Sequence, residues 1–394
     1  LKQAPAARRV AVTGVGVLAA CGIGRDAFWA GLLAPQPEGE RRINDFDPDT
    51  VFDSPKEARR TDRFSQIALA AAAEALEQAG DVGVDPTRAG VLLGAGVGGL
   101  ATTEREIIVM HEKGPRRVSP FLVPMMMSNA AAASVSMRYG WQGPCETTVT
   151  ACAASTHAIG NAARLIATGR CDAVLSGGSE AAMVPIGIQG FANMTALSSV
   201  GVSRPFDAER DGFVMSEGAA VLVLEAWSAA EARGATILAE VMGAASTADA
   251  HHITAPSPGG VGAIGCMQLA LDDAGISVGD IVHINAHGTS TPLNDAAEAE
   301  AIAAMFGDAM PIVTSTKGVT GHALGAAGAL EAAAIVLSMQ HRLIPPTDGT
   351  KAVDPALPPI DLVIGDPRPW TPGPSLSNSF GFGGHNGCLV IGPA

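Results

Sequence analysis

In Thr147-Thr-Val-Thr-Ala-Cys152-Ala-Ala-Ser-Thr-His157, a β-branched run meets small residues and then the helical-looking segment from Ala158 to Thr168. β-Branched side chains suit a strand and small residues suit a tight turn, so the stretch reads as strand, turn, helix. Farther on, Ile312-Val-Thr-Ser-Thr-Lys317-Gly-Val-Thr-Gly-His322 runs through glycines into an alanine-rich helix that reaches Leu337. Thr147 to Thr168 and Ile312 to Leu337 therefore read as one unit used twice, which makes an internal duplication the expected organisation. One copy presents Cys152 at its turn and the other presents Lys317 and His322. Two like halves facing each other would bring both turns to one cleft.

The rest of the chain fits this α/β alternation. In the first half the expected elements are a strand from Arg9 to Val17, a helix from Phe64 to Ala79, and strands at Gly90 to Leu93, Ala173 to Ser176 and Val221 to Glu225. Ser228 to Arg233 reads as a bridge and Thr236 to Met242 as the strand opening the second half, so the halves are set at 1–235 and 236–394. There the pattern gives helix Gly262 to Ala274, strand Ile281 to Asn285, helix Asp295 to Phe306, strand Pro311 to Ser315, helix Ala326 to Met339, then strands at Leu362 to Ile364 and Cys388 to Ile391.

Composition narrows the function classes. The chain has 394 residues, 47% hydrophobic and 16% charged, enough to bury one large core or two fused ones. No apolar run reaches the roughly 20 residues that span a bilayer, so no membrane is expected as a partner. A formal charge of −14 repels nucleic acid. Six scattered cysteines without a C-x-x-C pair signal neither a disulfide framework nor a zinc site, which suits a reducing, cytoplasmic setting. Lys2, Arg8 and Arg9 before an apolar stretch ending at Cys21 resemble a lipoprotein signal, but Thr13, Gly14 and Gly16 interrupt it, and a first core strand is the preferred reading.

Several groups are candidates for chemistry. Cys152 lies at the mouth of a helix, whose unpaired N–H groups favour thiolate, so its pKa is expected below the free value of about 8.5. His287 follows the strand at Asn285, a place where an isolated histidine is often merely buried and satisfied by backbone. His322 and Lys317 share a glycine-rich turn, and Glu331, nine residues after His322, is placed to neutralise Lys317 if it does not simply face water. A thiolate can accept an acyl group from a thioester. Two neutral imidazoles can donate N–H bonds to a thioester oxygen and stabilise the enolate left when a neighbouring carboxylate departs as CO₂. An ammonium nearby keeps imidazoles neutral. Gly94-Ala-Gly-Val-Gly-Gly99 contains G-x-G-x-x-G, yet the acidic ribose ligand expected about twenty residues on is replaced by Lys113-Gly-Pro-Arg-Arg117. The glycines are read instead as a close approach of backbone to a pocket, with no cofactor and no metal expected.

Together, Ala151-Cys152-Ala153, Asn285-Ala-His287-Gly-Thr-Ser-Thr291, Lys317 to His322 and Asn378-Ser-Phe-Gly-Phe-Gly-Gly-His-Asn386 resemble the β-ketoacyl-acyl carrier protein synthases, the elongating type II condensing enzymes, from about Arg9 to Gly392. The resemblance implies a thiolase-like fold, with duplicated βαβαβαββ halves in a five-layered αβαβα core, and usually a homodimer. It implies that Cys152 accepts the acyl chain, that His287 and His322 bind the malonyl thioester, and that Lys317 with Glu331 organises the histidines. Phe382 matches the gating phenylalanine, and its N–H with that of Cys152 would form an oxyanion hole. Thr289 and Thr291, with Thr254, match the channel for the phosphopantetheine arm. Val97 and Phe380 match acyl-pocket positions, and Leu122, with Met125 to Met127, a dimer face that closes the pocket.

The implied partner is an acidic acyl carrier protein, which an acidic enzyme receives on a local basic patch. Lys56, Arg59, Arg60 and Arg63 form one such run and Arg116 with Arg117 another. Two features depart from the family: Leu197-Ser-Ser-Val-Gly-Val-Ser203 is short and lacks a basic residue often present, and His385 stands where a threonine is common. Three other readings remain open. They are a polyketide ketosynthase paired with a related chain-length subunit, a non-catalytic chain-length partner, and a degradative thiolase. The last fits poorly because Cys388 lies on a strand and not on the glycine loop.

Overall fold

A computed structural model describes residues 7–394, so Lys2 lies outside the described residues. The first half contributes strands β1 (Val10–Ala19), β2 (Ala89–Gly94), β3 (Cys145–Thr148), β4 (Ala173–Glu180) and β5 (Gly218–Ala226). Helices α1 (Arg63–Ala79), α2 (Leu100–Lys113) and α3 (Ala154–Ala167) connect the first four strands. The second half contributes β6 (Ala239–Ala248), β7 (His283–Asn285), β8 (Ile312–Thr314), β9 (Ser375–Gly381) and β10 (His385–Pro393), with helices α4 (Val261–Ala274), α5 (Pro292–Phe306) and α6 (Ala327–His341). Each half thus runs βαβαβαββ, the first carrying further helices, among them Arg25–Leu32, Ala130–Tyr139 and, between its last two strands, Pro185–Asn193.

Strand order demonstrates the duplication. The first half is ordered β3-β2-β4-β5-β1 and the second β8-β7-β9-β10-β6. In both, the first three strands of that order pair in parallel and the last two antiparallel. β1 pairs antiparallel with β6, with Val10 opposite Val241, which joins the two halves about a pseudo-twofold axis. We propose residue 235 as the division, in the link between helix Trp227–Ala232 and β6.

Helices α3 and α6 lie between the two sets of strands and touch both, while α1 covers the outer face of the first set and α4 that of the second. This is the five-layered αβαβα arrangement of the thiolase-like fold. Helix α6 is buried from Ala327 to Met339, as a helix apolar all round must be. Strand β1 is buried along its whole length, and a Cβ at Gly16 would lie 1.9 Å from the Ala71 carbonyl oxygen of α1. The glycines that interrupt the N-terminal apolar run therefore seat a helix on a central strand. No helix among the described residues is long and apolar enough to cross a membrane.

Strand β9 and helix α2 escape the sequence reading. Ser375, Ser377, Asn378 and Ser379 give β9 a polar, loop-like composition, yet all four are buried. Ser379 pairs with Thr156 of α3 at 2.7 Å and Asn378 with Cys388 and Glu298, so hydrogen bonds replace apolar packing.

Candidate active site

The candidate residues lie beyond the C-terminal ends of parallel strands, where the chain turns back into a helix. Cys152 occupies a 3₁₀ turn, Ala151–Ala153, between β3 and α3, and Ala151 takes a positive φ of 50°. That backbone is costly for a residue with a Cβ, and it turns the thiol into the interior. His287 follows β7, Lys317 follows β8 and Phe382 follows β9. Four turns from two halves meet at one cavity of about 410 Å³.

The thiol and two imidazoles converge there. Their ligand-type atoms all lie within 4.8 Å of one another, and each residue is buried. His322 Nε2 stands 3.1 Å from Cys152 Sγ, and the two imidazole rings are 5.5 Å apart at 86°. Phe213 packs edge-on to His322 and Phe380 edge-on to His287. One thiol with two imidazoles is also a donor set that zinc accepts, although the Lys317 ammonium, 3.3 Å from His287 Nδ1, opposes a dication.

Lys317 is buried behind the histidines, and three partners surround its three N–H bonds. It donates to the His287 carbonyl at 2.7 Å, to Glu331 and to His287 Nδ1. A nitrogen that accepts from an ammonium carries no proton, so His287 holds its proton on Nε2. His322 Nδ1 is buried without a partner. With its proton on Nε2, the unpaired atom is an acceptor, the less costly group to bury. Burial, the Lys317 charge and, for His287, His322 as well hold both imidazoles well below the ordinary histidine range. Burial raises the Glu331 carboxyl, with Lys317 opposing.

The structure corrects the expectation for the thiol. Burial pushes Cys152 up to about 11, outweighing Lys317 and the N–H groups of Phe382 and of Cys152 itself. A helix terminus favours a nearby anion, but loss of water opposes it more strongly here. Those two N–H groups bear on the sulfur. Gly381 permits this, because a Cβ there would lie 3.1 Å from the Cys152 nitrogen.

Val97, Thr254, Thr289, Thr291, Phe380 and Phe382 all line the cavity, and the Thr289 and Thr291 hydroxyls are 3.0 Å apart. Leu122 is not among the lining residues; it begins a short helix, Leu122–Met126, beside exposed Val123 and Met126. Of the basic residues, Lys56, Arg59, Arg60, Arg116 and Arg117 are exposed, with Arg60 over the Phe121 ring. Arg63 is drawn inward instead, to both oxygens of buried Glu217 and to the Ile43 carbonyl.

Other residues of the site give no sequence signal. Glu298, on an alanine-rich helix that resembles a solvated face, is buried and accepts the N–H groups of His287 at 2.8 Å and Gly288 at 2.7 Å. His157 links Thr150, just before the cysteine turn, to the Asn386 carbonyl, just after the glycine loop, each at 2.9 Å. The G-x-G-x-x-G loop turns its N–H groups on the carboxylate of Glu180, so an internal anion occupies the place a phosphate takes in a dinucleotide site.

Family models for the beta-ketoacyl synthase N-terminal domain and C-terminal domain match residues 36–230 and 238–351. The chain belongs to the beta-ketoacyl synthase family. A 3-oxoacyl-[acyl-carrier-protein] synthase 2 of Synechocystis is 43% identical over 410 residues, covering 98% of each chain. The one from Staphylococcus aureus is 41% identical over 413 residues, again covering 98% of each. Among solved structures, the ishigamide ketosynthase/chain length factor superposes with a TM-score of 0.92 at 33% identity, covering 99% of this chain and 100% of that one. A beta-ketoacyl synthase from Burkholderia phymatum gives 0.90 at 34%, covering 98% and 100%. A type II polyketide ketosynthase in complex with its acyl-carrier protein gives 0.87 at 31%, again covering 98% and 100%.

The protonation state has a direct readout. Cys152 is a neutral thiol beside neutral imidazoles, so its alkylation by iodoacetamide follows the growing thiolate fraction and climbs from neutral pH toward about 11. A plateau reached below neutral pH would show a thiolate–imidazolium pair instead.

Proposed function

We propose that Cys152, His287 and His322 perform the decarboxylative Claisen condensation of this carbon–carbon bond-forming acyltransferase family. An acyl chain on the cysteine is extended by two carbons from malonyl-acyl carrier protein. The observation that carries this reading is the meeting of one thiol and two imidazoles held neutral by burial and the Lys317 charge at a single buried cavity.

In the first step the Cys152 sulfur bonds to the acyl carbonyl carbon, the carrier-arm thiolate departs, and the thiol proton goes to it. The N–H groups of Cys152 and Phe382 hold the oxyanion. In the second, His287 and His322 donate to the malonyl thioester oxygen while the bond to the carboxylate breaks. CO₂ leaves and the electron pair remains as an enolate. The enolate carbon bonds to the acyl carbonyl carbon and expels the Cys152 thiolate, which takes a proton from water. Lys317, paired with Glu331, holds the His287 tautomer, and Thr254, Thr289 and Thr291 receive the phosphopantetheine arm. Val97 and Phe380 bound the acyl chain, and Phe382 gates it.

The identities of 41–43% over nearly full length to 3-oxoacyl-acyl carrier protein synthases support fatty-acid elongation. The structural likeness to polyketide ketosynthases supports a second reading, a catalytic subunit paired with a chain-length partner. Assay with fatty-acid and polyketide carrier proteins separates the two. Exposed Lys56, Arg59, Arg60, Arg116 and Arg117 support docking of an acidic carrier, whereas Arg63 is committed internally. Strand β3 ends the sheet with Cys145 and Glu146 exposed, and Val149, Met127 and Met137 are exposed apolar residues. These features support coverage by a second chain. We place the reaction in the cytoplasm.

Mass spectrometry after incubation with an acyl-carrier thioester is expected to find the acyl group on Cys152, and Cys152→Ala to lose at least about a thousandfold in condensation rate. An unmodified wild-type chain would favour the non-catalytic partner role. Arg59→Glu and Arg116→Glu should each raise KM for carrier-bound substrate about tenfold and leave a small thioester almost unaffected. Equal effects on both substrates refute docking there. Sedimentation of the purified chain at twice its own mass is expected for a homodimer; a monomer that associates only with a related chain would show the heterodimer.

A further inference from the structure

Glu180 ends strand β4 and is completely buried, with a relative exposure of 0%. The groups that favour its charge are main-chain N–H donors, and they come from both halves of the protein. Its Oε2 accepts from Gly96 at 2.5 Å, Val97 at 3.1 Å and Gly325 at 3.3 Å, and its Oε1 accepts from Gly98 at 3.1 Å. Gly96 to Gly98 follow β2 in the first half, whereas Gly325 lies three residues after His322 in the second.

The two loops touch main chain to main chain at this carboxylate. A Cβ at Gly325 would lie 2.0 Å from the Gly96 nitrogen, and one at Gly96 would lie 2.7 Å from Glu180 Oε2. Gly96 and Val97 line the cavity on one side of this contact and Leu324 on the other. A buried carboxylate without an ion pair is expensive, and burial pushes Glu180 up to about 7 even with four donors around it. Leucine or methionine in its place would avoid that cost but would leave four N–H groups unpaired.

We propose that Glu180 is a positioning residue that locks the Gly96–Gly98 wall of the cavity to the turn following His322, so that acyl-chain selection and histidine placement are set by one group. This rests on the cavity being the acyl site. Glu180 is not among the residues that line the cavity. It acts through Val97, whose N–H is shared between its two oxygens, and through the Leu324–Gly325 main chain.

The test compares Glu180→Gln with wild type across straight-chain acyl thioesters of graded length. Acyl-adduct formation on Cys152 and malonyl decarboxylation are followed separately. An amide of the same size must turn its own N–H groups toward the donors, so the wall loosens. Discrimination between the preferred acyl length and its neighbours, as the ratio of kcat/KM values, is expected to flatten about tenfold. Malonyl decarboxylation is expected to lose kcat with KM nearly unchanged. Glu180→Asp, which keeps the charge on a shorter stem, should restore part of both; if Glu180→Gln does not fold, the Glu180→Asp profile alone carries the test. A length profile that keeps its wild-type shape in every folded variant overturns the inference while leaving the condensing function intact. A wild-type chain that forms no Cys152 adduct overturns both.

Discussion

Burying the Lys317 ammonium is the constraint on which the site depends. A cation removed from water needs a compensating anion and a partner for each N–H bond, and Glu331, His287 Nδ1 and the His287 carbonyl supply them. Once Lys317 donates to Nδ1, the tautomer of His287 is decided and its proton sits on Nε2. The same charge suppresses imidazolium at both histidines. Glu331 lies on α6, the helix buried on every side, so the pair is held by the least exposed element of the fold.

The pseudo-twofold arrangement explains why such a site can form. Parallel strands deliver their following turns at the same sheet edge, and each half supplies several. The antiparallel β1–β6 junction and the shared layer of α3 and α6 set the two groups of turns facing each other. Cys152 enters from one half and the histidines with Lys317 from the other. Backbone contact between the halves is close at Glu180, and Ser379 of β9 bridges Thr156 of α3 and Glu331 of α6.

The legible parts share a physical cause. Cys152, His287 and His322 stand in runs of glycine, threonine and alanine directly after strands, a composition that turns the chain sharply and leaves a reactive side chain as the conspicuous group. The carboxylates that support them were not legible. Glu298 and Glu180 look like ordinary polar residues until folding shows that each gathers main-chain N–H groups, Glu298 from the turn just before its own helix and Glu180 from turns far away in the chain. Strand β9 was missed because it is built of polar residues, of which Ser375, Asn378 and Ser379 are satisfied by hydrogen bonds within the core. Arg63 looked like part of a basic surface because its partner, Glu217, lies 154 residues away.

The amino-acid sequence alone determined the duplicated α/β plan, the family, and the thiol and two imidazoles as the chemical groups, since periodicity and local turn composition are encoded within short stretches. Tertiary structure alone decided the charge states: the thiol raised by burial where a helix terminus would have lowered it, the imidazoles neutral, and the carboxylates enclosed by amides. Those outcomes depend on distance and on exclusion of water, and both arise only when residues far apart in the chain are packed together.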